Sequence, residues 1–451
     1  MLAEAMINFG ETEAPAPVDP KDVSEDTVAR AFTAKYRDTL RYCHNTGRWF
    51  EWDGVRWKRD DTQRAFHFAR ELSRQLSDAH KSMCKASVAA GAERFARADP
   101  AHSVTADIWD SNKWLLGTPS GTLNLKDRKI LSPDPTAYIT RLTGVAPQAG
   151  TPERWLDFLN QATGNDADMI AFLQRMCGYL LTGDTSEHAL FFIYGPGGNG
   201  KSVFLNILQH ILGDYAETAA MDTFTASMAS KHPTDLAMLK GARGVFASET
   251  EAGSSWAEAR IKSLTGGDRI TARFMRQDFF TYAPEFKLLI VGNHAPSIKN
   301  VDEALRRRFN IIPFTRKPDR PDPMLEDKLR AEAGKILWWM MVGCREWQEK
   351  GLGRPAAIVE ATDTYFAEQD VMGQWISECT RPIDSFTDTA TELFASWADF
   401  AKANGEQPGT IRQFSMDMEK RGYRRKKTRD GRFFVGIQVK HRETARGHYD
   451  D

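Results

Sequence analysis

The sequence is poor in cysteine, and its few cysteines are not clustered. There are five, at positions 43, 84, 177, 344 and 379, and no two of them form a C-x-x-C pair. Zinc sites need closely spaced ligands, and disulfide-stabilised secreted folds need many cysteines in a short chain. The pattern therefore argues against both, and it favours a reducing compartment such as the cytosol.

Long apolar runs and an excess of one charge are also missing. The most prominent apolar run, residues 336–342, is too short to cross a bilayer, and no cationic segment followed by an apolar one opens the chain. Lysine and arginine together number 60, against 61 for aspartate and glutamate. We therefore expect no membrane insertion, and any binding of a polyanion must depend on local patches of positive charge.

The chain is long enough for several domains. Its first 26 residues carry seven acidic side chains, three prolines and a single lysine, a composition typical of a disordered tail. Proline and glycine cluster again at 147–152, which indicates a boundary. We predict four regions: a disordered acidic tail over 1–26, an α+β N-terminal domain over 27–150, a nucleotide-binding domain with flanking helices over 151–380, and a small domain with a short tail over 381–451.

The N-terminal domain shows mixed patterns. We predict a helix over 27–43, a β-hairpin in which Asp53 and Gly54 separate two aromatic strands, and a helical stretch over 62–98. The hairpin carries three tryptophans, Trp49, Trp52 and Trp57. Tryptophans can stack on nucleic acid bases, but in a hairpin they more often belong to the core, so we favour a structural role.

Residues 195–202 match the phosphate-binding pattern G-x-x-x-x-G-K-[ST]. An apolar run at 189–194 predicts a buried strand before this loop, and apolar residues at helical spacing up to 212 predict a helix after it. Glycine lets backbone N–H groups surround a polyphosphate at a helix start, Lys201 brings charge to the β and γ phosphates, and Ser202 can bind Mg²⁺. The predicted nucleotide-binding residues are Gly195, Pro196, Gly197, Gly198, Asn199, Gly200, Lys201 and Ser202.

Three further elements suit a nucleoside triphosphatase. An apolar strand over 245–248 is followed by Glu249, which can hold Mg²⁺ or activate water, and Glu251 could share that role. A third strand, 286–292, ends at Asn293, whose amide could orient the attacking water. Three adjacent arginines, Arg306, Arg307 and Arg308, then precede another apolar strand; they could contact phosphate or form a solvated basic face.

These elements, in this order and together with K-S-L-T-G-G-D at 262–268, closely resemble superfamily III DNA helicases of the phage, plasmid and poxvirus primase-helicase branch. The resemblance covers about residues 27–440. It implies an AAA+-like P-loop ATPase core that uses ATP and Mg²⁺ and assembles as a homo-hexameric ring moving 3′ to 5′ on single-stranded DNA. Arg308, with Arg307 as second choice, would be the arginine finger that reaches the neighbouring ATP site.

The resemblance also identifies candidate DNA contacts. Residues 269–275 and 278–282 can pair as a hairpin, which in the family projects into the ring channel. This implies that Arg273 and Arg276 lie near phosphate, with Lys262 as a further candidate. A plain surface hairpin with solvated arginines is the alternative.

The last segment points to DNA independently. Helices predicted over 393–403 and 411–420, and strands over 423–427 and 433–439, form a winged-helix pattern. The strongly basic strand supplies four more candidate contacts, Arg424, Arg425, Lys426 and Lys427. A localisation signal or a solvated tail could have the same composition.

We therefore predict an α/β protein acting as an ATP-dependent DNA helicase in phage- or plasmid-type replication, in the cytosol of a bacterial or phage-infected cell. Single-stranded and forked DNA are the expected partners. No primase catalytic pattern precedes the P-loop, so we expect a helicase part without a primase module, with a separate primase or polymerase as a possible partner. The alternatives are an origin-binding initiator ATPase without processive unwinding, and a P-loop phosphotransferase.

Overall fold

The structure is a computed structural model that describes residues 19–226, 233–248, 255–274, 278–293, 295–298, 302–318, 320–384, 388–429 and 431–440. Within this range, the region before residue 150 contains three α-helices, one short 3-10 helix (Pro135–Ala137) and two small sheets. Its elements are α1 (Glu25–Tyr36), β1 (Leu40–Cys43), β2 (Arg48–Trp52), β3 (Trp57–Arg59), α2 (Arg64–Leu76), α3 (Ala86–Ala98), β4 (Ser103–Val104), β5 (Leu115–Thr118), β6 (Gly121–Asn124) and β7 (Lys129–Leu131). The sheet orders are β3-β2-β1-β4 and β5-β6-β7.

Three expectations for this region need correction. The helix predicted over 27–43 ends at Tyr36, and residues 40–43 form β1 because this segment pairs with both β2 and β4. The helical stretch predicted over 62–98 is divided into α2 and α3. The tail predicted over 1–26 extends too far, because Ser24 and Thr27 form a capping box that starts α1 at Glu25.

The β2–β3 hairpin around Asp53 and Gly54 is confirmed, and two of its tryptophans belong to the core. Trp49 is 5% exposed, and Trp57 is fully buried. Both indole N–H groups are satisfied: that of Trp49 donates to Glu93 at 2.7 Å and that of Trp57 donates to the carbonyl of Pro135 at 2.8 Å. The structural interpretation therefore holds for these two, whereas Trp52 is half-buried.

The middle of the chain builds a mixed α/β unit. Its elements are α4 (Glu153–Thr163), α5 (Ala167–Leu180), β8 (Leu190–Tyr194), α6 (Lys201–Leu212), β9 (Ala216–Thr218), α7 (Pro233–Ala237), β10 (Gly244–Ser248), α8 (Glu258–Thr265), β11 (Ile270–Ala272), β12 (Phe280–Tyr282), β13 (Lys287–Gly292), α9 (Glu303–Arg306), β14 (Phe309–Pro313), α10 (Leu325–Ala331), α11 (Ala333–Lys350), α12 (Ala356–Gln369) and α13 (Val371–Cys379). Five of the strands form one parallel sheet in the order β14-β8-β13-β10-β9.

Helices cover both faces of this sheet, which explains why its central strands are apolar almost throughout. Alternate strand residues enter two separate cores. Phe191, Ile193, Leu289 and Ile312 pack with α4, α5, α6 and α11 on one face. On the other face, Phe192, Val245, Leu288 and Ile290 pack with residues of α8 and α12. The carboxyl ends of the strands are thereby fixed along one edge.

The last region comprises β15 (Thr380–Pro382), α14 (Ala390–Ala403), α15 (Ile411–Lys420), β16 (Arg425–Lys427), β17 (Arg432–Phe434) and β18 (Ile437–Val439). The two helices and the β16–β17 hairpin agree with the predicted order of elements. The strand predicted over 433–439 is divided, since β18 turns away at Gly436 and pairs with β15. Met372 and Trp375 of α13, which precede the boundary predicted at 381, pack into the core of this region.

None of the helices in the described part of the chain combines the length and the apolar character needed to span a bilayer.

Candidate functional site

The candidate site lies where β8 ends, in the middle of the parallel sheet. Strands β9, β10 and β13 lie on one side of β8 in the sheet, whereas β14 lies on its other side. The strand order therefore reverses next to β8. In open parallel sheets, ligands bind beyond the carboxyl ends of the strands at such a point. Residues 195–200 leave β8 there, and α6 begins at Lys201, so the predicted strand, loop and helix are present.

The loop requires glycine at both ends of the motif. Gly195 and Gly200 have φ values of 151° and 84°. A Cβ at Gly195 would lie 1.9 Å from the carbonyl oxygen of Phe314, and one at Gly200 would lie 2.5 Å from the ring of Phe158. The sequence pattern thus reflects a tight backbone turn, with β14 and α4 packed directly against it.

Lys201 is folded back onto its own loop. Its ammonium group donates to the carbonyl oxygens of Gly195 and Pro196 at 2.6 and 3.0 Å, and to Oδ1 of Asn199 at 2.9 Å. The side-chain amide of Asn199 in turn donates to the carbonyl of Phe314. Burial lowers the pKa of Lys201, whose residue is only 6% exposed. The lysine therefore already lies inside the turn that the motif predicts will hold phosphate.

Polar residues follow the neighbouring strands at the same edge. In the sheet register, Gly292 pairs with Tyr194 and Val291 pairs with Ser248, so Asn293 follows β13 beside the start of the loop. Asn293 is exposed, as is Ser202 in the first turn of α6. Glu249 and Glu251 come directly after β10 and lie outside the described residues, so their predicted role in binding Mg²⁺ stays a prediction.

A cavity of about 380 Å³ adjoins the loop. Gly198, Asn199 and Gly200 form one wall, and α4 and the segment between β14 and α10 form the others. The lining combines the apolar side chains Phe158, Ala162, Val203 and Leu325 with the cations Arg154, Arg316, Arg320 and Lys328 and the carboxylates Asp157 and Asp322, of which Asp322 pairs with Lys328. Sequence reasoning missed this cavity, because its residues come from separate segments and match no short motif.

The three adjacent arginines point in different directions. Arg306 forms an ion pair with Asp363 at 2.7 Å, and Arg307 is exposed. Arg308 is only 8% exposed; its guanidinium donates to the carbonyl of Ala304 at 2.5 Å, and its Nε is buried with no hydrogen-bond partner in the described part of the chain. Burial, more than the neighbouring charge of Arg307, lowers the pKa of Arg308. Of the two predicted finger residues, Arg307 is the accessible one.

The predicted hairpin after α8 is confirmed. Strands β11 and β12 pair antiparallel, with Ala272 opposite Phe280 at the last described register position. Arg273 continues from β11, is exposed, and lies over the ring of Phe279 with its guanidinium carbon 4.8 Å from the ring centre. Arg276 lies outside the described residues. Lys262, in α8, forms an ion pair with Asp302.

The basic strand β16 lies at the surface. Arg424, Arg425, Lys426 and Lys427 are all exposed. Arg425 forms an ion pair with Glu419 at 3.4 Å and stacks over Phe434, whereas Phe434 itself is buried. The hairpin core thus holds this strand against α15 while its charges face outwards.

The chain is similar in sequence to two protein families and to several viral proteins. Residues 29–164 match the family model described as D5 N terminal like, and residues 193–308 match a family of unknown function, DUF5906. A candidate helicase of Acanthamoeba polyphaga mimivirus is 26% identical over 262 residues, and one of Frog virus 3 is 24% identical over 316 residues. These matches make the chain similar to the superfamily III primase-helicases of phages and viruses.

The two viral relatives of this family are much longer than the matched part. The alignments cover 53% and 65% of this chain but only 27% and 31% of those proteins. Among solved structures, the apo C-terminal region of NrS-1 aligns over 93% of this chain and all of its own length, with a TM-score of 0.50 and 12% identity. At this identity the likeness shows the fold alone.

The family matches also bear on the boundaries. The D5-like match includes α4, which the predicted boundary at 150 assigns to the next domain. The second match starts in β8 and ends at Arg308, so it contains the P-loop, Asn293, the β11–β12 hairpin and the arginines.

Proposed function

We propose that this chain is an ATP-dependent DNA helicase motor for phage- or plasmid-type DNA replication. The proposal rests on one observation above all: a complete P-loop with Lys201 at the start of α6, at the point in a parallel sheet where the strand order reverses. The family relationship favours a replicative helicase over other P-loop enzymes.

ATP fits the residues present. Backbone N–H groups of the turn at 195–200 would surround the phosphates, and Lys201 would exchange its loop acceptors for phosphate oxygens. The adjoining cavity, lined by apolar side chains and by charged groups of both signs, would take the base and sugar. Ser202 and Glu249 would hold Mg²⁺, which neutralises charge on the β and γ phosphates. Asn293 would orient the attacking water.

Hydrolysis would be completed by a neighbouring subunit. The exposure of Arg307 supports it as the residue that reaches the next ATP site in a homo-hexameric ring. Arg308, the first choice from the sequence, becomes the second candidate because it would first have to leave its buried position. An arginine supplied in trans can raise hydrolysis by about 10³- to 10⁵-fold. The ATPase would then depend on assembly.

Single-stranded DNA would pass through the ring and contact the β11–β12 hairpin through Arg273 and Arg276, with movement from 3′ to 5′. The exposed charges of β16 would hold the forked duplex, as a winged helix does. Those same charges also support the second candidate, an initiator that binds an origin without processive unwinding.

Strand displacement tests the proposal. Purified protein, with ATP and Mg²⁺, should unwind a duplex with a 3′ single-stranded tail, and Lys201→Ala should not. Hydrolysis stimulated by single strands without any unwinding would favour the initiator. Full hydrolysis by a monomer, indifferent to DNA, would contradict the motor and favour a phosphotransferase.

A further inference from the structure

Two exposed phenylalanines, one after each paired strand end, lie at the described end of the β11–β12 hairpin. Phe274 is 39% exposed and Phe279 is 59% exposed. They follow and precede the strand residues Ala272 and Phe280, which pair in register, so both lie beyond the last paired residues. Exposing one large apolar side chain is ordinary, but two at the end of one hairpin indicate a contact surface.

The rings are held in place by their neighbours. Phe274 stacks on Phe280, with ring centres 5.5 Å apart and an interplanar angle of 24°. Phe280 is in turn covered by the ammonium group of Lys240 at 5.3 Å, and Arg273 covers one face of Phe279. The rings therefore present flat faces that are already partly ordered. Binding to them costs little side-chain rotamer entropy.

The charges around the rings identify the partner. Arg273 and Lys240 are exposed beside the rings, and Asp278 precedes Phe279 directly. Cations beside exposed aromatic faces suit unpaired nucleotides, because bases stack on the rings while phosphates pair with the cations. A duplex offers no free base faces along its length, and a purely phosphate-binding hairpin has no use for exposed phenylalanine.

We propose that Phe279 and Phe274 are base-stacking residues for single-stranded DNA. This inference rests on the proposed helicase function and adds to it a contact with the bases, beyond the contacts that arginines make with the backbone. Every base has a flat aromatic face, so such stacking tolerates any sequence, which a replicative motor requires.

Binding to two oligonucleotides of equal charge tests this. The full chain is titrated, with a non-hydrolysable ATP analogue present, against fluorescein-labelled oligo-dT and against an abasic strand of the same length and label. Wild type should prefer oligo-dT. Phe279→Ala should weaken oligo-dT binding roughly 5- to 100-fold and leave binding to the abasic strand unchanged. Phe279→Trp should keep the preference, and Phe274→Ala should reduce it.

Phe95→Ala is the matched control, because Phe95 is 52% exposed on α3, in the N-terminal region. It should leave the preference for oligo-dT unchanged. Equally weakened binding of both strands by Phe279→Ala, or no weakening, would overturn the stacking role while leaving the helicase proposal intact. A change in oligomeric mass without a change in preference would assign the phenylalanines to a subunit interface and also overturn it. Wild type that binds neither strand would overturn both proposals.

Discussion

Lys262 in α8 forms an ion pair with Asp302, and the other carboxylate oxygen of Asp302 accepts the N–H of Leu305 at 2.7 Å. Asp302 is therefore both the ion-pair partner and the N-cap of α9. Since α8 precedes the β11–β12 hairpin and α9 ends just before Arg307, this pair joins the proposed DNA contact to the proposed finger. Burial would raise the pKa of Asp302, but hydrogen bonds from Lys262 and Leu305 outweigh it and lower the pKa.

This arrangement predicts that Lys262 and Asp302 act as one unit. Lys262→Gln and Asp302→Asn should each reduce DNA-stimulated hydrolysis, and the double variant should be no worse than either single one, because both remove the same link. Asparagine can still cap α9, so stability should fall by less than about 1 kcal/mol for this half-exposed pair. If Lys262 instead contacts phosphate, Lys262→Gln alone should lower the salt dependence of DNA binding.

The glycines of the P-loop give a second prediction. Gly200→Ala should lower the unfolding midpoint and abolish binding of a fluorescent ATP analogue, since a Cβ would meet the ring of Phe158 and the left-handed backbone disfavours alanine. The expected destabilisation is about 2 kcal/mol or more. Gly197→Ala is the control for stability, because a Cβ there meets nothing within 4 Å. Equal midpoints for the two variants would contradict the packing described.

Local patterns predicted the strand before the turn at 195–200, the helix after it and the β11–β12 hairpin, because each depends on residues close in sequence. Features set by distant contacts were not predictable. Residues 40–43 become a strand through pairing with β2 and β4, and α13 joins the last core through Trp375. The burial of Arg308 and the cavity beside the P-loop likewise depend on packing between separate segments, about which spacing carries no information.

Mixing variant subunits tests whether Arg307 acts on the ATP site of a neighbouring subunit. Arg307→Ala should abolish hydrolysis with little change in stability or nucleotide binding, whereas Arg308→Ala should also destabilise the fold, because Arg308 is buried and bonded to Ala304. Mixing Arg307→Ala with Lys201→Ala subunits should restore part of the activity, since some interfaces then combine an intact P-loop with an intact finger. Co-assembled mixtures that remain inactive, with assembly verified by mass, would exclude an arginine acting in trans.

Acid should loosen the contact between α13 and α15. Arg421 donates to Asp370 at 2.9 Å, and Asp370 also caps α13 by accepting the N–H of Gly373. Burial would raise the pKa of Asp370, but these bonds lower it below its ordinary 3.8. Because the pKa of Asp370 is lower in the folded state than in the unfolded state, its ionised carboxylate stabilises the fold at pH values above the unfolded-state pKa. That contribution disappears as the pH falls through the folded-state pKa.

Hydrogen exchange of the backbone amides in α13 and α15 measures this pH-dependent contribution of Asp370. Asp370→Asn should exchange faster than wild type at pH 7, by an amount equivalent to about 1 kcal/mol for a partly exposed pair. The difference should shrink as the pH falls from about 5 to below 3.8, where wild type loses the same charge. A difference that is independent of pH would show that the ion pair contributes nothing.

The basic strand β16 gives the last prediction. Replacing Arg424, Lys426 and Lys427 with glutamine should weaken duplex and fork binding, and the slope of log affinity against log salt should fall by about 0.9 for each phosphate that the strand no longer neutralises. Replacing Lys126, Arg128 and Lys129, a cationic cluster around the β6–β7 turn, removes the same charge elsewhere and should leave the slope unchanged. Both variants change the net charge equally. A decrease in the salt slope shared by both would therefore indicate long-range attraction, and only a decrease confined to the β16 variant supports direct binding. If unwinding of a tailed duplex survives the β16 replacement, translocation does not depend on this strand.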